Sequence, residues 1–165
     1  MSEITQTVTL RVNGEPQVVT VPTRKHLADL LREDLGFTSV HVGCEHGVCG
    51  SCTVRIDGAI QRSCLVLGVQ AEGAQVETLE YLSTQDTTGD LVEAFVSENA
   101  LQCGFCTPGM IISCAALLAE TPSPSREQVR DFLSGNYCRC TGYQAIVEAV
   151  MKVAAARCIE IGEKV

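Results

Sequence analysis

Eight cysteines, in two sets of four, constrain this chain more than any other feature. The first set is Cys44, Cys49, Cys52 and Cys64, spaced C-x4-C-x2-C-x11-C. Its opening is the spacing of plant-type [2Fe–2S] proteins, in which two irons each take two thiolates. A single loop delivers three of those ligands only if its backbone curls around the cluster. Curling needs residues that tolerate positive φ or a close backbone approach. Gly43, Gly47 and Gly50 lie among the three cysteines and supply such positions. The curl also aims backbone N–H groups at the sulfurs, which favours an anionic cluster. Neither the glycines nor this spacing is needed for the competing readings, a structural zinc site or reduced core thiols.

The second set is Cys103, Cys106, Cys138 and Cys140. It reads C-x2-C, an interval of 31 residues, then C-x-C. Two close pairs on separate elements suit four ligand positions on a [2Fe–2S] cluster, and they also suit a four-thiolate zinc site. Thr107 and Pro108 follow Cys106 as an N-cap and first helical residue would. Thr141 is placed to cap a last helix after Cys140. Both pairs would then sit at helix N-termini, where free N–H groups favour negative charge. Cys114 and Cys158 fall in apolar helical patterns and read as small buried hydrophobes. His26, His41 and His46 are alternative ligands on chemistry alone. Four cysteines already fill the first set, however, and a His-ligated Rieske centre would need a paired histidine that the spacing lacks. Glu45 reads as a solvated loop residue.

Composition narrows the function classes. The net charge is -8 with no basic run, which argues against nucleic acid and anionic membrane as partners. No apolar stretch approaches a membrane span. Met1-Ser2-Glu3-Ile4 has neither the basic nor the apolar region of a secretion signal. Without export, ten cysteines point to metal binding in a reducing cytoplasm rather than to disulfides. There is no Ser/His/Asp constellation, phosphate loop or dinucleotide fingerprint, so no catalytic residue is assigned.

The hydrophobic period divides the chain into a β-rich half, residues 1–82, and a helical half, residues 83–165. Val8, Leu10 and Val12 alternate in a strand over 5–12. Asn13-Gly14 is a hairpin signal, and Val18 to Val21 returns. Leu27, Leu30 and Leu31 share a helical face that Gly36 stops. Thr53 to Ile56 and Ala59 to Leu65 flank a second hairpin at Asp57-Gly58, and Val76 to Leu79 is a last strand. Polar Ser83 to Gly89 is the expected linker. Beyond it, Leu91, Val92, Phe95 and Val96 share one helical face, and Met110 to Leu118 is apolar nearly all round. Ser125 and Gln128 form a capping box. Ala145, Ile146, Ala149, Val150, Val153 and Ala154 line the last helix. Four helices with short connections predict an antiparallel bundle. The fold class is therefore α+β.

The segments VGCEHGVCGSCTV at 42–54, RSCL at 62–65, LQCGFCTPGM at 101–110 and GNYCRCTGYQ at 135–144 together resemble the iron–sulfur (small) subunit of the xanthine oxidase family of molybdenum hydroxylases. The resemblance covers nearly the whole chain, with no departure at a ligand position. It implies an N-terminal β-grasp ferredoxin-like domain followed by a four-helix domain, with one [2Fe–2S] cluster in each. It implies a molybdopterin-bearing large subunit and an FAD-bearing medium subunit as partners, in a dimer of heterotrimers. Electrons from molybdenum would enter the helical-domain cluster, pass to the ferredoxin-like cluster and go on to FAD. Gln102 and Cys140 would lie near the partner's pterin. Substrate choice would rest with the large subunit. Two other readings remain open on the residues: a free-standing two-cluster electron carrier, and a non-redox zinc-binding interaction module. Exposed apolar residues at Gly104-Phe105 and Met110-Ile111-Ile112 would favour a docked subunit over a free carrier.

Overall fold

The computed structural model describes residues 3–85 and 88–162. Its N-terminal half is built on a hairpin. Strand β1 (Thr5–Val12) pairs antiparallel with β2 (Glu15–Pro22) along its whole length, from Thr5 opposite Pro22 to Val12 opposite Glu15. Asn13 (φ 56°) and Gly14 (φ 86°) make the turn, and two successive positive-φ residues match the right-handed twist of the strands. Alternation places Val8, Leu10 and Val12 inside and the intervening residues outside. The second hairpin pairs β3 (Thr53–Ile56) with β4 (Ala59–Arg62). Strand β5 (Gln75–Glu77) runs parallel to β1 and antiparallel to β3, giving the order β2-β1-β5-β3-β4.

Helix α1 (Leu27–Asp29) widens into a π turn over Leu30–Asp34. It lays Leu27, Ala28, Leu30 and Leu31 on Val8, Leu10, Val54 and Val76 as one core. Two expectations differ in detail here. The arm after β4 leaves the sheet at Ser63, where a 3-10 turn (Ser63–Leu65) carries Cys64. The last strand stops at Glu77, because Thr78 turns away and exchanges hydrogen bonds with Asn13 (2.9 and 3.0 Å). Leu79 instead opens helix α2 (Leu79–Leu82) and packs on the second core.

That core belongs to α3 (Gly89–Ser97), α4 (Thr107–Glu120), α5 (Arg126–Leu133) and α6 (Gln144–Gly162). Phe95, Met110, Cys114, Val129, Leu133, Ile146 and Val150 meet in it. The capping box is present: Ser125 accepts from Gln128 N–H at 3.2 Å, and the Gln128 side chain accepts from Ser125 N–H at 2.7 Å. Arg157 holds Asp90 through two 2.8 Å bonds, tying the end of α6 to the start of α3. Val96, expected on the buried face of α3, is 64% exposed, since Leu91 and Phe95 centre that face and leave Val96 beyond its edge. Met110, Ile111 and Ile112, raised as a docking surface, are buried in the packing of α4. The middle of the expected linker, Asp86 and Thr87, lies outside the described residues. Among the described residues no helix is long and apolar enough to cross a membrane.

The two halves close on a seam of backbone. A Cβ on Gly109 would stand 2.2 Å from Gly50 O, and one on Gly50 would stand 2.5 Å from Asn136 Nδ2 and 2.8 Å from Gly135 O. Arg62 crosses the seam to Gly135 O at 2.7 Å and also holds Thr53 Oγ1. Buried Asn136 donates to Gly109 O at 3.4 Å. No side chain fits between these chains, so α4 lies directly against the loop that precedes β3. Gly109→Ala is expected to destabilise the protein by about 1–3 kcal/mol through overpacking. Gly89→Ala, whose Cβ meets nothing closer than Ser83 O at 3.7 Å, is the control. Denaturant midpoints check this, and equal midpoints for the two variants would rule out the close seam.

Candidate metal centres

The first four cysteines come from one loop and one turn. The loop between α1 and β3 bends through Glu45 (φ 56°), Gly47 (φ 76°) and Gly50 (φ 77°). Of the three glycines singled out in the sequence, Gly43 serves by close approach rather than by φ: a Cβ there would meet Cys49 Sγ at 3.3 Å. Glu45 takes the remaining left-handed position, a role that a charged residue does not advertise. Cys64 is brought to Cys52 by its neighbour, because Ser63 donates to Cys52 O from both N (3.2 Å) and Oγ (2.7 Å). Cys52 and Cys64 are buried, whereas Cys44 and Cys49 are half-buried.

The thiols face one another in twos. Burial pushes the Cys44 thiol up, but the N–H groups of Cys49, His46 and Val48 and the Cys49 thiol pull it further the other way, to about 6. Cys49 N lies 3.4 Å from Cys44 Sγ. Cys64 goes the opposite way, to about 12, through burial and then the facing Cys52 thiol, against the pull of Gly47 N–H.

The second set forms two more facing pairs. Cys103 and Cys140 are exposed, with sulfurs 3.6 Å apart. Cys106 faces Cys138, and burial followed by that contact pushes Cys106 up to about 12. Cys138 is lowered: burial opposes this, but the Thr141 hydroxyl and N–H, the Cys140 N–H and the Cys106 thiol outweigh it. The predicted helix caps are corrected by one element each. Cys106 itself occupies the cap position of α4, and Thr107 is already helical. Helix α6 begins only at Gln144, so Thr141 caps nothing and spends its hydroxyl on Cys138 Sγ at 3.1 Å. Gln102 Nε2 donates to Cys140 O at 3.0 Å.

Six of the eight cysteines line a single cavity of about 330 Å³: Cys44 and Cys49 from the first set, with all four of the second. Tyr137 also lines it, and Tyr137 N–H donates to Cys49 O at 2.8 Å. One backbone hydrogen bond therefore joins a residue of the first set to the neighbour of Cys138. His41 is no ligand. Its ring stacks on Phe105 at 4.7 Å, and burial, then the Arg32 charge, lowers its pKa. His26 caps α1, and His46 is exposed. Cys114 is fully buried, as its pattern indicates, while Cys158 is only half-buried and sits 2.8 Å from Ser123 Oγ. The seam residues Arg62, Gly109, Asn136 and Tyr137 escape sequence reasoning, although each stands in or beside a cysteine motif.

The donor set fits [2Fe–2S] clusters. All eight donors are thiols, they arrive in twos as two irons require, and N–H groups point at the sulfurs. A zinc site needs four ligands about 2.3 Å from one point. Among the described residues no three or more of His, Cys, Asp and Glu are grouped so as to hold a single metal ion.

Comparison with known proteins agrees with this geometry. Residues 10–83 match the 2Fe-2S iron-sulfur cluster binding domain and residues 78–151 the [2Fe-2S] binding domain. The chain is 51% identical to the nicotine 6-hydroxylase small subunit of Paenarthrobacter nicotinovorans over 144 residues, 87% of each chain. It is 47% identical to caffeine dehydrogenase subunit gamma of Pseudomonas sp. (strain CBB1) over 150 residues, 89% of this chain and 90% of that one. The crystal structure of quinoline 2-oxidoreductase from Pseudomonas putida 86 superposes with a TM-score of 0.87 at 50% identity, over 96% of this chain and 98% of that chain. Two cysteine sets in four thiol pairs, two matched cluster-binding domains and relatives of this identity place the chain in the family of small iron–sulfur subunits of the xanthine oxidase-type molybdenum hydroxylases.

Proposed function

We propose that this chain is the electron relay of such a complex. Cys44, Cys49, Cys52 and Cys64 hold the first [2Fe–2S] cluster, and Cys103, Cys106, Cys138 and Cys140 hold the second. The observation that carries this reading is the arrangement of thiol pairs from both sets around one cavity, joined by the Cys49–Tyr137 hydrogen bond. When bound, each cluster supplies one-electron chemistry that side chains lack. The chain's residues do the rest. The thiol pairs fix the clusters, N–H groups offset their charge, and the glycine seam holds the two loops at a constant separation.

Direction follows from exposure and from kinship. Cys103 and Cys140 face outward, and Gln102 is bonded to Cys140. This is the end proposed to meet the pterin of the molybdenum-bearing large subunit. The first set, flanked by exposed Val48 and Leu65, is the end proposed to face an FAD-bearing medium subunit. Phe105 and Tyr137 are also about half exposed beside the cysteine loops, as residues that partners cover tend to be. A dimer of heterotrimers in the cytoplasm, where thiols stay reduced, completes the proposal. The halves are a β-grasp domain, residues 1–82, and a four-helix-bundle domain, residues 83–165. Their separate cores support this division.

Two measurements test the reading. Dithionite reduction of the native protein should give two distinct S = 1/2 EPR signals, with about four iron and about four acid-labile sulfide per chain. One signal with half that iron, and zinc in the remainder, would turn the second set into a structural site and end the relay. Cys49→Ala should abolish only the first signal and Cys106→Ala only the second. If each variant loses both signals, the sites are not independent.

A further inference from the structure

The loop carrying Cys138 and Cys140 contains a chain of donors that cluster ligation does not require. Tyr143 N–H donates to Thr141 Oγ1 at 3.2 Å, and Thr141 Oγ1 donates to Cys138 Sγ at 3.1 Å. A hydroxyl that accepts one hydrogen bond is a stronger donor in the next. Thr141 N–H approaches the same sulfur at 3.5 Å.

Tyr143 is built to hold this chain in place. Its backbone is left-handed (φ 67°), a conformation that a bulky residue adopts only when its surroundings impose it. Its hydroxyl accepts from Cys138 N–H at 2.8 Å and donates to Asn136 O at 3.0 Å, so the ring is clamped to the loop that bears the sulfur. Nothing equivalent serves the first set. There the donors to sulfur are backbone N–H groups, those of Cys49, His46 and Val48 toward Cys44 and that of Gly47 toward Cys64. Among the described residues, Cys138 is the one ligand sulfur with a hydroxyl donor.

An electron added to a [2Fe–2S] cluster increases the negative charge on its sulfurs. A donor aimed at sulfur therefore stabilises the reduced form more than the oxidised form and raises the reduction potential. The affected sulfur belongs to the inner pair, Cys106 and Cys138, and Cys138 is the residue after Tyr137, which bonds to Cys49 O. The donor thus acts on the side of the second site that faces the first.

We propose that the Thr141 hydroxyl, oriented by Tyr143, sets the reduction potential of the second cluster and raises it above what four thiolates and backbone N–H groups alone would give. This rests on the assignment of Cys103, Cys106, Cys138 and Cys140 to that cluster. The step affected is the passage of one electron from the reduced second cluster to the oxidised first, with no bond made or broken and no proton moved. Thr141 shifts its equilibrium toward the second cluster.

The test is an EPR-monitored redox titration of the full chain with both clusters in place. Thr141→Val keeps the branched shape and removes the O–H, whereas Thr141→Ser keeps the O–H. In Thr141→Val the reduced-to-oxidised ratio of the second cluster at a fixed potential should fall about tenfold, a downward shift of about 59 mV for one electron. Thr141→Ser should titrate like the wild type, and the first cluster should not move in either variant. If the valine variant fails to assemble, Thr141→Ala should show the same shift. An unmoved second midpoint, or equal movement of both midpoints, overturns the proposal. So does loss of the second cluster in the valine and alanine variants with retention in the serine variant, which would make the hydroxyl structural. A wild-type chain without a second [2Fe–2S] signal would remove the assignment itself, and this proposal with it. Two wild-type signals with an unmoved midpoint in Thr141→Val would overturn the proposal alone.

Discussion

The hydrogen bond from Tyr137 N–H to Cys49 O, at 2.8 Å, is the contact on which the architecture turns. It joins two loops that are separated by more than half the chain and belong to different cores. The flanking chains approach this closely because Gly50 and Gly109 carry no Cβ: one on Gly109 would stand 2.2 Å from Gly50 O. The bond's surroundings are closed by Arg62, whose guanidinium satisfies Gly135 O from the far side, and by buried Asn136. Planar, many-donor Arg suits this place because one side chain serves several acceptors in fixed geometry. The seam thus joins two halves whose hydrophobic cores are separate.

The same economy governs the electrostatics of the sulfurs. Eight thiols in facing pairs, six of them around one cavity, repel once ionised, so the surroundings must favour negative charge locally. In the first loop this is done by conformation. Positive φ at Glu45 and Gly47 turns successive N–H groups inward, and Cys44 falls to about 6 as a result. In the second loop it is done partly by a side chain, Thr141, together with the cap position of Cys106 on α4. The two sites are alike in ligand type and different in how each sulfur is solvated by protein. Such differences separate the potentials of otherwise similar clusters.

Much of this was legible from residue order alone. The cysteine spacings, the Asn13-Gly14 and Asp57-Gly58 turns, the alternation in β1 and the capping box at Ser125 are local signals. Each is set by neighbours within a few residues, and each reappears in the structure. The errors fall where distant residues intervene. Leu79 reads as a strand residue, yet helps cover the helical core. Val96 reads as buried, yet lies past the edge of a short helix. Thr141 has the right chemistry for a cap, but α6 begins only at Gln144, and its hydroxyl instead accepts from Tyr143 N–H and donates to Cys138 Sγ.

By itself, the sequence determined where two sets of four thiols lie, and on what kinds of element, because cysteine spacing and glycine placement are local properties of the chain; it is these thiols that are proposed to hold the clusters. Only the tertiary structure decided how the eight thiols pair, that six of their residues share one cavity, and that Cys49 and Tyr137 touch. The reason is physical: those relations depend on the docking of one core against the other across the Gly50–Gly109 seam, and a seam between surfaces has no period along the chain from which to read it.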